Sequence, residues 1–176
     1  MKNIYNDSKM MDPTTFLKFL KGRRSIRSFQ DKPIGEKELE MIIEAGRWTP
    51  SASHRQPWEF IIIKNKETLE KISKNAFNGK FIKEVSVAIA IVGKMKTSSK
   101  WYIVDTSLVS MNMMLMAWSL EIGTCWIGAM NREKVKKILG LGENDYLLTV
   151  LPFGYIKGDI PDPKPRKTLN KIVKYI

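Results

Sequence analysis

Three short apolar runs, far apart along the chain, place the strongest limit on its fold. They are EFIIIK, VSVAIAIVG and YLLTVLPFGYIKG. They are rich in β-branched and aromatic residues, which are favoured in strands, and their lengths suit strands. Patterns typical of helices lie between the runs but do not strictly alternate with them. This order predicts a mixed α+β layered domain rather than a doubly wound parallel sheet.

Five other segments have the periodicity of helices. They are PTTFLKFLKGR, residues 36–47, LEKISKNAF, residues 100–122 and NREKVKKILGL. The predicted inner positions are Phe16, Leu17, Phe19 and Leu20 in the first segment and Leu39, Ile42, Ile43 and Gly46 in the second. The fourth segment is apolar on nearly every face, which predicts burial on several sides. Asn131 is the predicted N-cap of the last helix.

Composition excludes several classes of protein. The chain has 176 residues and 43% hydrophobic residues, which suits one folded domain. A single cysteine excludes an internal disulfide framework, and one cysteine with one histidine cannot supply the ligands of a usual zinc site. No serine has the sequence of a nucleophile elbow. We find neither a membrane-spanning run nor a signal peptide and therefore expect a cytoplasmic protein.

The chain is predicted to form one domain over residues 1–176, with a flexible tail at residues 1–12. Residues 158–176 form a predicted C-terminal arm. Its first part, DIPDPKPRK, has three prolines in nine residues and should run extended. Its end, TLNKIVKYI, is apolar at Leu169, Ile172, Val173 and Ile176. An arm with such an end docks on its own domain or on a partner chain, and the sequence leaves both open.

A basic stretch, RRSIR, follows the first predicted helix. On an extended backbone, side chains alternate, so Arg23, Ser25 and Arg27 point the same way. Two guanidinium groups and a hydroxyl on one face suit an anion with several oxygens, or a phosphate with a planar polar ring. The alternative interpretation is a solvated basic turn.

Two further segments have polar groups beyond what a linker needs. The loop RWTPSASHRQPW contains hydrogen-bonding side chains at Ser51, Ser53, His54 and Gln56, and the small Ala52 permits close approach to the backbone. A capped loop is the alternative. In the arm, prolines hold Lys164 and Arg166 at a fixed spacing, and charge-assisted bonds to phosphate contribute about 1.5–3 kcal/mol each. A solvated linker is the alternative there.

Together the segments RRSIRSF, TPSASHRQPWEFIII, WSLEIGTCWIGAM and KPRK, in this order, resemble the nitroreductase family of FMN-dependent oxidoreductases. The resemblance extends from about Phe16 to the C-terminus. It implies a homodimer with a three-layer α+β fold, in which helices flank a central, mostly antiparallel sheet. It also implies that the C-terminal arm crosses to the other subunit's sheet and that FMN binds at the interface.

The resemblance implies a role for each motif. In the first motif, the Arg23 position reaches the phosphate and the Arg27 position reaches the pyrimidine edge of the flavin. The implied cofactor-binding residues are Arg23, Arg24, Ser25, Arg27, Pro50, Ser51, Ala52, Ser53, His54, Gln56, Trp126, Ile127, Gly128, Lys164 and Arg166. The group from Pro50 to Gln56 comes from the other subunit, the group from Trp126 to Gly128 runs beside the ring, and the last two residues close on the phosphate.

No residue of the chain is assigned as a catalytic acid or base, because the cofactor carries the redox chemistry. A guanidinium at Arg27 would stabilise negative charge on reduced flavin. The implied cycle is ping-pong, with NADH or NADPH as electron donor and a nitroaromatic, quinone or similar acceptor. The family commonly has asparagine where this chain has His54, and imidazole titrates near neutral pH. Cys125 is interpreted as a small buried residue.

Two other functions remain as alternatives. A flavin-binding protein of the same fold could store or sense FMN without turnover. A net charge of +12 also suits a basic nucleic-acid-binding protein, although the chain has no RNP-type motif and no helix-turn-helix spacing.

Overall fold

A four-stranded antiparallel sheet forms the centre of residues 11–176, the part of the chain that the computed structural model describes. Its strands are β1 (Trp58–Ile63), β2 (Val87–Lys94), β3 (Ile122–Thr124) and β4 (Asp145–Tyr155), in the order β1-β2-β4-β3. The helices are α1 (Pro13–Gly22), α2 (Glu36–Arg47), α3 (Lys66–Asn75), α4 (Tyr102–Ser119) and α5 (Arg132–Ile138). The predicted α+β class with an antiparallel sheet is confirmed. Most of the predicted tail, residues 1–12, lies outside the described residues.

Alternating side chains of β2 give the domain its three layers. Ala88, Ala90 and Val92 pack in one buried cluster with side chains of α3 and α5. Ile89 and Ile91 belong to the cluster on the opposite face, with side chains of α2 and α4. Because successive residues of a strand point to opposite faces, one continuous apolar run serves both layers. Burial of each isoleucine stabilises the fold by about 1.5–3 kcal/mol.

Polar caps fix where three helices begin. Asn131 accepts the Lys134 N–H at 3.1 Å, which confirms it as the N-cap of α5. Asp12 accepts the Thr15 N–H at 2.8 Å in front of α1, and Asn65 accepts the Thr68 N–H at 2.8 Å in front of α3. These caps set the starts of α1 and α3.

The prediction that α1 buries its apolar side is wrong for the single chain. Phe16, Leu17 and Leu20 are 45%, 50% and 39% exposed, and α1 has no fully buried residue. The reason is that no other described element covers this side of the helix. By contrast, Leu39, Ile42 and Gly46 of α2 are buried as predicted, and Ile43 is half-buried.

Helix α4 is buried on one side and open on the other. Val109, Met113 and Ala117 are fully buried against α2 and the sheet. The opposite side exposes close to half of each of four apolar side chains, at Ile103, Val104, Leu108 and Met111. We call these four residues the open face of α4. Within residues 11–176, no helix is both long and apolar enough to cross a membrane.

Strand β3 was not predicted. The sequence predicts a helix to residue 122, a break at Gly123 and Thr124, and then a short connection. In the structure α4 ends at Ser119, and Glu121 has a φ of +59° before β3 begins at Ile122. A strand of three residues that includes a glycine has too little pattern to identify.

Beyond β4, the C-terminal arm is exposed and has one short turn, Leu169–Lys171. Leu169 and Ile172 are 74% and 62% exposed. Near its start the arm is held by the Arg24 guanidinium, which donates to the Pro161 carbonyl at 2.9 Å. The predicted exchange of this arm between subunits stays a prediction.

Candidate functional site

The basic stretch lies alongside β3. Ser25 forms a parallel bridge with Thr124, and the Ile26 N–H donates to the Thr124 carbonyl at 3.0 Å. Ile26 is buried and packs directly over Gly123, where a Cβ atom would lie 2.7 Å from its Cγ2. The residues on either side of Ile26 are thereby held extended at the edge of the sheet.

We expect Gly123→Ala to destabilise the fold by about 1–3 kcal/mol, because overpacking in a tight contact costs energy of that order. The added methyl would meet the Cγ2 and Cβ atoms of Ile26, and a side chain branched at Cβ cannot swing away. The measurement is the free energy of unfolding in urea. Gly142→Ala is the matched control, since a Cβ there would be 3.6 Å from its nearest contact. Equal stability of the two variants would contradict this account of the contact.

Arg23, Ser25 and Arg27 all affect the pKa of the Cys125 thiol. Burial raises the pKa of this thiol, whereas the Arg27 guanidinium, a hydrogen bond with Ser25 and the Arg23 guanidinium each oppose that rise. The net result is a raised pKa, so the thiol is neutral at pH 7. All three predicted site residues therefore lie close enough to Cys125 to affect its thiol, which agrees with side chains on one side of an extended backbone.

A basic cleft of about 660 Å³ lies between α1, the basic stretch and the arm. Six cationic residues line it, namely Lys18, Lys21, Arg23, Arg24, Lys164 and Arg166, and its described lining contains no carboxylate. Burial lowers the pKa of the Arg23 guanidinium, and the neighbouring Arg24 and Arg166 lower it further. Several cations without a carboxylate among them suit an anion with several oxygens.

The structure thus brings together two predicted motifs that are some 140 residues apart in the chain. Arg23 belongs to the basic stretch, and Lys164 and Arg166 belong to the arm. Arg24 holds these two parts of the chain next to each other. Its guanidinium donates to the Lys21, Gly22 and Arg23 carbonyls at the end of α1, at 2.6–2.9 Å, as well as to Pro161. Arg24 also lines the cleft, so its predicted contact with the cofactor stays a prediction, and its observed hydrogen bonds hold the arm beside α1.

The loop of residues 50–56 has a backbone conformation that residues other than glycine rarely adopt. Ser53, His54 and Gln56 all have φ values between +48° and +54°. Left-handed backbone at residues other than glycine is uncommon, costs about 1–3 kcal/mol for each residue, and clusters at functional sites. Within the loop, the Gln56 N–H donates to Ser51 Oγ at 2.9 Å, and the His54 Nε2 and Gln56 Nε2 atoms are 3.1 Å apart.

Helix α4 fastens this loop at two points. Asp105, which is 3% exposed, accepts the Ala52 N–H at 3.2 Å, and Asn112 donates to Thr49 Oγ1 at 2.8 Å. The exposed side chains of residues 53–56 point outward, and no residue from 50–56 lines the basic cleft of the same chain. The structure therefore places this predicted motif apart from the other two within one chain.

The segment Trp126–Gly128 follows β3 after one intervening residue, Cys125. Ile127 is buried, Gly128 is exposed, and the Trp126 ring is 37% exposed. Beside it, the Phe77 N–H donates to the Ala129 carbonyl at 3.0 Å, and the Phe77 ring is 68% exposed. This arrangement puts two exposed aromatic side chains on neighbouring segments.

Several residues of the site were not identified from the sequence. Phe77 and Asp105 lie in segments without a recognisable motif, and their positions depend on long-range packing. The sequence indicates only an amphipathic helix around Arg132 and only a strand around Thr149. Asp105 had one available signal, because it is the single acidic residue in the otherwise apolar and polar pattern of α4.

Comparison with known proteins agrees with this fold. A profile of the nitroreductase family matches residues 20–88 and 74–155. A protein of Archaeoglobus fulgidus, provisionally named an NADH dehydrogenase/NAD(P)H nitroreductase, is 34% identical over 150 residues, which is 81% of this chain and 86% of the relative. The oxygen-insensitive NADPH nitroreductase of Salmonella typhimurium is 28% identical over 93% of this chain and 73% of its own length.

Among solved structures, the FMN-dependent nitroreductase of Clostridium difficile R20291 superposes with a TM-score of 0.81. It is 26% identical, and the match covers 90% of this chain and 98% of that one. These likenesses confirm the oxidoreductase class and the α+β fold that the motifs predict. The chain belongs to the nitroreductase family.

Proposed function

We propose that the protein binds FMN and uses NADH or NADPH to reduce small nitroaromatic, quinone-like or similar acceptors. The observation that carries this proposal is the basic cleft, where Arg23, Lys164 and Arg166 meet without a carboxylate. A phosphate dianion is the complement of such a cleft. Support for the cofactor and the electron donor comes from the names of the Clostridium difficile and Salmonella typhimurium relatives.

The residues present fit the cofactor from one end to the other. Arg23, Lys164 and Arg166 would hold its phosphate. Arg27 and Ser25, which both affect the pKa of the Cys125 thiol, would meet the polar edge of the ring system. Thr124 Oγ1 is buried beside Ser25 without a hydrogen-bond partner among the described residues, so it is a further polar group available to a ligand.

FMN, when bound, supplies the accepting and donating of hydride, and the chain supplies position and charge. A guanidinium at Arg27 stabilises negative charge on the ring and thereby favours its reduced form. Since one site serves donor and acceptor in turn, we propose a ping-pong cycle. The exposed rings of Trp126 and Phe77 offer flat surfaces for an aromatic acceptor.

We propose that the active form is a homodimer with two FMN sites at its interface, each built from residues of both chains. The apolar residues Phe16, Leu17 and Leu20 of α1 and the open face of α4 are uncovered in one chain. The loop of residues 50–56 lies apart from the cleft of its own chain, so a second chain would supply it. Exchange of residues 158–176 would bury the exposed apolar end of the arm. Obligate interfaces bury about 2,000–5,000 Å².

The role of the cleft is tested by comparing FMN with riboflavin, which has the same ring but no phosphate. We expect FMN to bind at least about a hundredfold more tightly, because two or more charge-assisted contacts contribute about 1.5–3 kcal/mol each. The measurement is quenching of flavin fluorescence during titration with the protein. Equal affinities would contradict the assignment of the cleft to the phosphate.

A single substitution in the arm tests the same point. Arg166→Ala should weaken FMN binding by about ten- to a hundredfold, because one phosphate contact is lost. Loss of flavin during gel filtration should be greatest at high salt, where the remaining attraction is screened. Riboflavin binding should be unchanged. If Arg166→Ala retains FMN as the unmodified protein does, Lys164 and Arg166 belong only to a linker.

A further inference from the structure

We infer that Thr149 and Arg132 are positioning residues that clamp the segment Trp126–Gly128 to β4. The inference rests on the proposed function, in which this segment lies beside the flavin ring. Neither residue belongs to a predicted cofactor motif. Their role follows from hydrogen bonds that join α5, β4 and the segment at one irregular point of the sheet.

That irregular point is a bulge in β4. Ile91 of β2 pairs with Thr149, but the next residue, Val92, pairs with Leu147, so Leu148 is the extra residue. Bulges of this kind redirect side chains and occur often next to active sites. The other edge of β4 is also unusual, because β3 pairs only with residues 153–155. Around Leu147 and Thr149, β4 therefore has no strand partner on that edge.

On this edge, the Thr149 side chain binds the neighbouring backbone where a paired strand would otherwise do so. Its hydroxyl accepts the Ile127 N–H at 3.3 Å and donates to the Ile127 carbonyl at 3.0 Å. Thr149 is fully buried, and Ile127 is 3% exposed. One hydroxyl thereby satisfies both backbone groups of a buried residue, which water cannot reach.

Arg132 secures the next residue. Its Nη2 donates to the Gly128 carbonyl at 2.9 Å and, more weakly, to the Leu148 carbonyl at 3.5 Å. Its Nε donates to the Leu147 carbonyl at 3.2 Å. The planar, rigid guanidinium therefore bridges the bulge and the segment at a fixed spacing. Lysine, with a single flexible ammonium group, could not reproduce that geometry.

The clamp determines which backbone groups face outward. In a trans peptide, the Ala129 N–H points opposite to the Gly128 carbonyl. Since that carbonyl is turned toward Arg132, the Ala129 N–H is turned away from β4. Within residues 11–176, neither the Gly128 nor the Ala129 N–H donates a hydrogen bond. The clamp thus presents two free donors on the exposed side of the segment, beside the Trp126 ring.

Substitutions at the two positions test the inference. Thr149→Val keeps the shape but removes the hydroxyl, and Thr149→Ser keeps the hydroxyl. Arg132→Ala removes the guanidinium, and Lys134→Ala on the same helix is its control, since Lys134 is exposed. In ligand-free protein, we expect hydrogen exchange in the peptide spanning residues 125–131 to accelerate at least about tenfold in Thr149→Val and Arg132→Ala. Thr149→Ser and Lys134→Ala should match the unmodified protein.

The flavin provides the second readout. With FMN added, Thr149→Val and Arg132→Ala should weaken binding about tenfold and alter the visible circular dichroism of the flavin, and Thr149→Ser should restore both. Exchange that stays at the unmodified rate would overturn the clamp. Faster exchange with an unchanged flavin spectrum and affinity would overturn the positioning role. If the unmodified protein fails to bind FMN, the proposed function is wrong, and exchange in the ligand-free chain still decides whether the clamp exists.

Discussion

Replacing Arg23 with glutamate is expected to reduce FMN binding by at least about a hundredfold. Loss of a charge-assisted bond costs about 1.5–3 kcal/mol, and the new carboxylate would also repel the phosphate. Arg23 is half-buried in the basic cleft, so solvent screens this repulsion less than it would at the surface. The measurement is fluorescence titration of FMN at one fixed ionic strength.

Lys96→Glu is the control for this experiment, because it changes the net charge by the same amount at an exposed lysine outside the basic cleft. It should bind FMN like the unmodified protein. Equal weakening in both variants would mean that only the net charge of the chain matters. Unchanged FMN binding in Arg23→Glu would show that the basic cleft does not hold the phosphate.

A second large effect is expected at the end of the arm. The double substitution Ile172→Asp and Val173→Asp should convert the proposed homodimer to a monomer and abolish FMN retention. The two side chains are 62% and 42% exposed in the single chain, so charges there should leave the fold of one chain intact. In an exchanged arm, they would instead be buried without partners, which is strongly unfavourable.

Sedimentation and gel filtration measure this outcome, and circular dichroism checks that the chain remains folded. Lys96→Glu again serves as the control, since the double substitution and the control both change the net charge by two. A double variant that remains dimeric with FMN bound would show that the arm does not hold the two chains together. A folded monomer that still binds FMN would show that one chain forms the site alone.

Local patterns predicted most of the framework of this protein. The runs that became β1, β2 and β4 are long and rich in β-branched residues, and residues 36–47 match α2 at both ends. Arg23 and Ser25 were predicted to share a face because an extended backbone alternates, and both act on the Cys125 thiol in the structure.

Features that depend on distant contacts could not be predicted. The apolar side of α1 has the periodicity of a buried face, but its exposure depends on what covers it, and no element among residues 11–176 does so. Arg24 is indistinguishable from Arg23 in sequence, yet its guanidinium also donates to the Pro161 carbonyl, which only the fold brings close to it. The roles of Arg132 and Thr149 likewise depend on a bulge that no sequence pattern marks.

Reduction of bound flavin in the absence of oxygen tests the central claim most directly. The purified protein is loaded with FMN, passed through a gel-filtration column and titrated with NADH or NADPH, while the flavin absorbance is recorded. We predict a yellow protein whose visible absorbance is bleached by one or both nicotinamide cofactors and returns when a quinone is added. A colourless protein that does not take up FMN would contradict the account, and bound flavin that neither NADH nor NADPH bleaches would show a binding protein rather than an oxidoreductase.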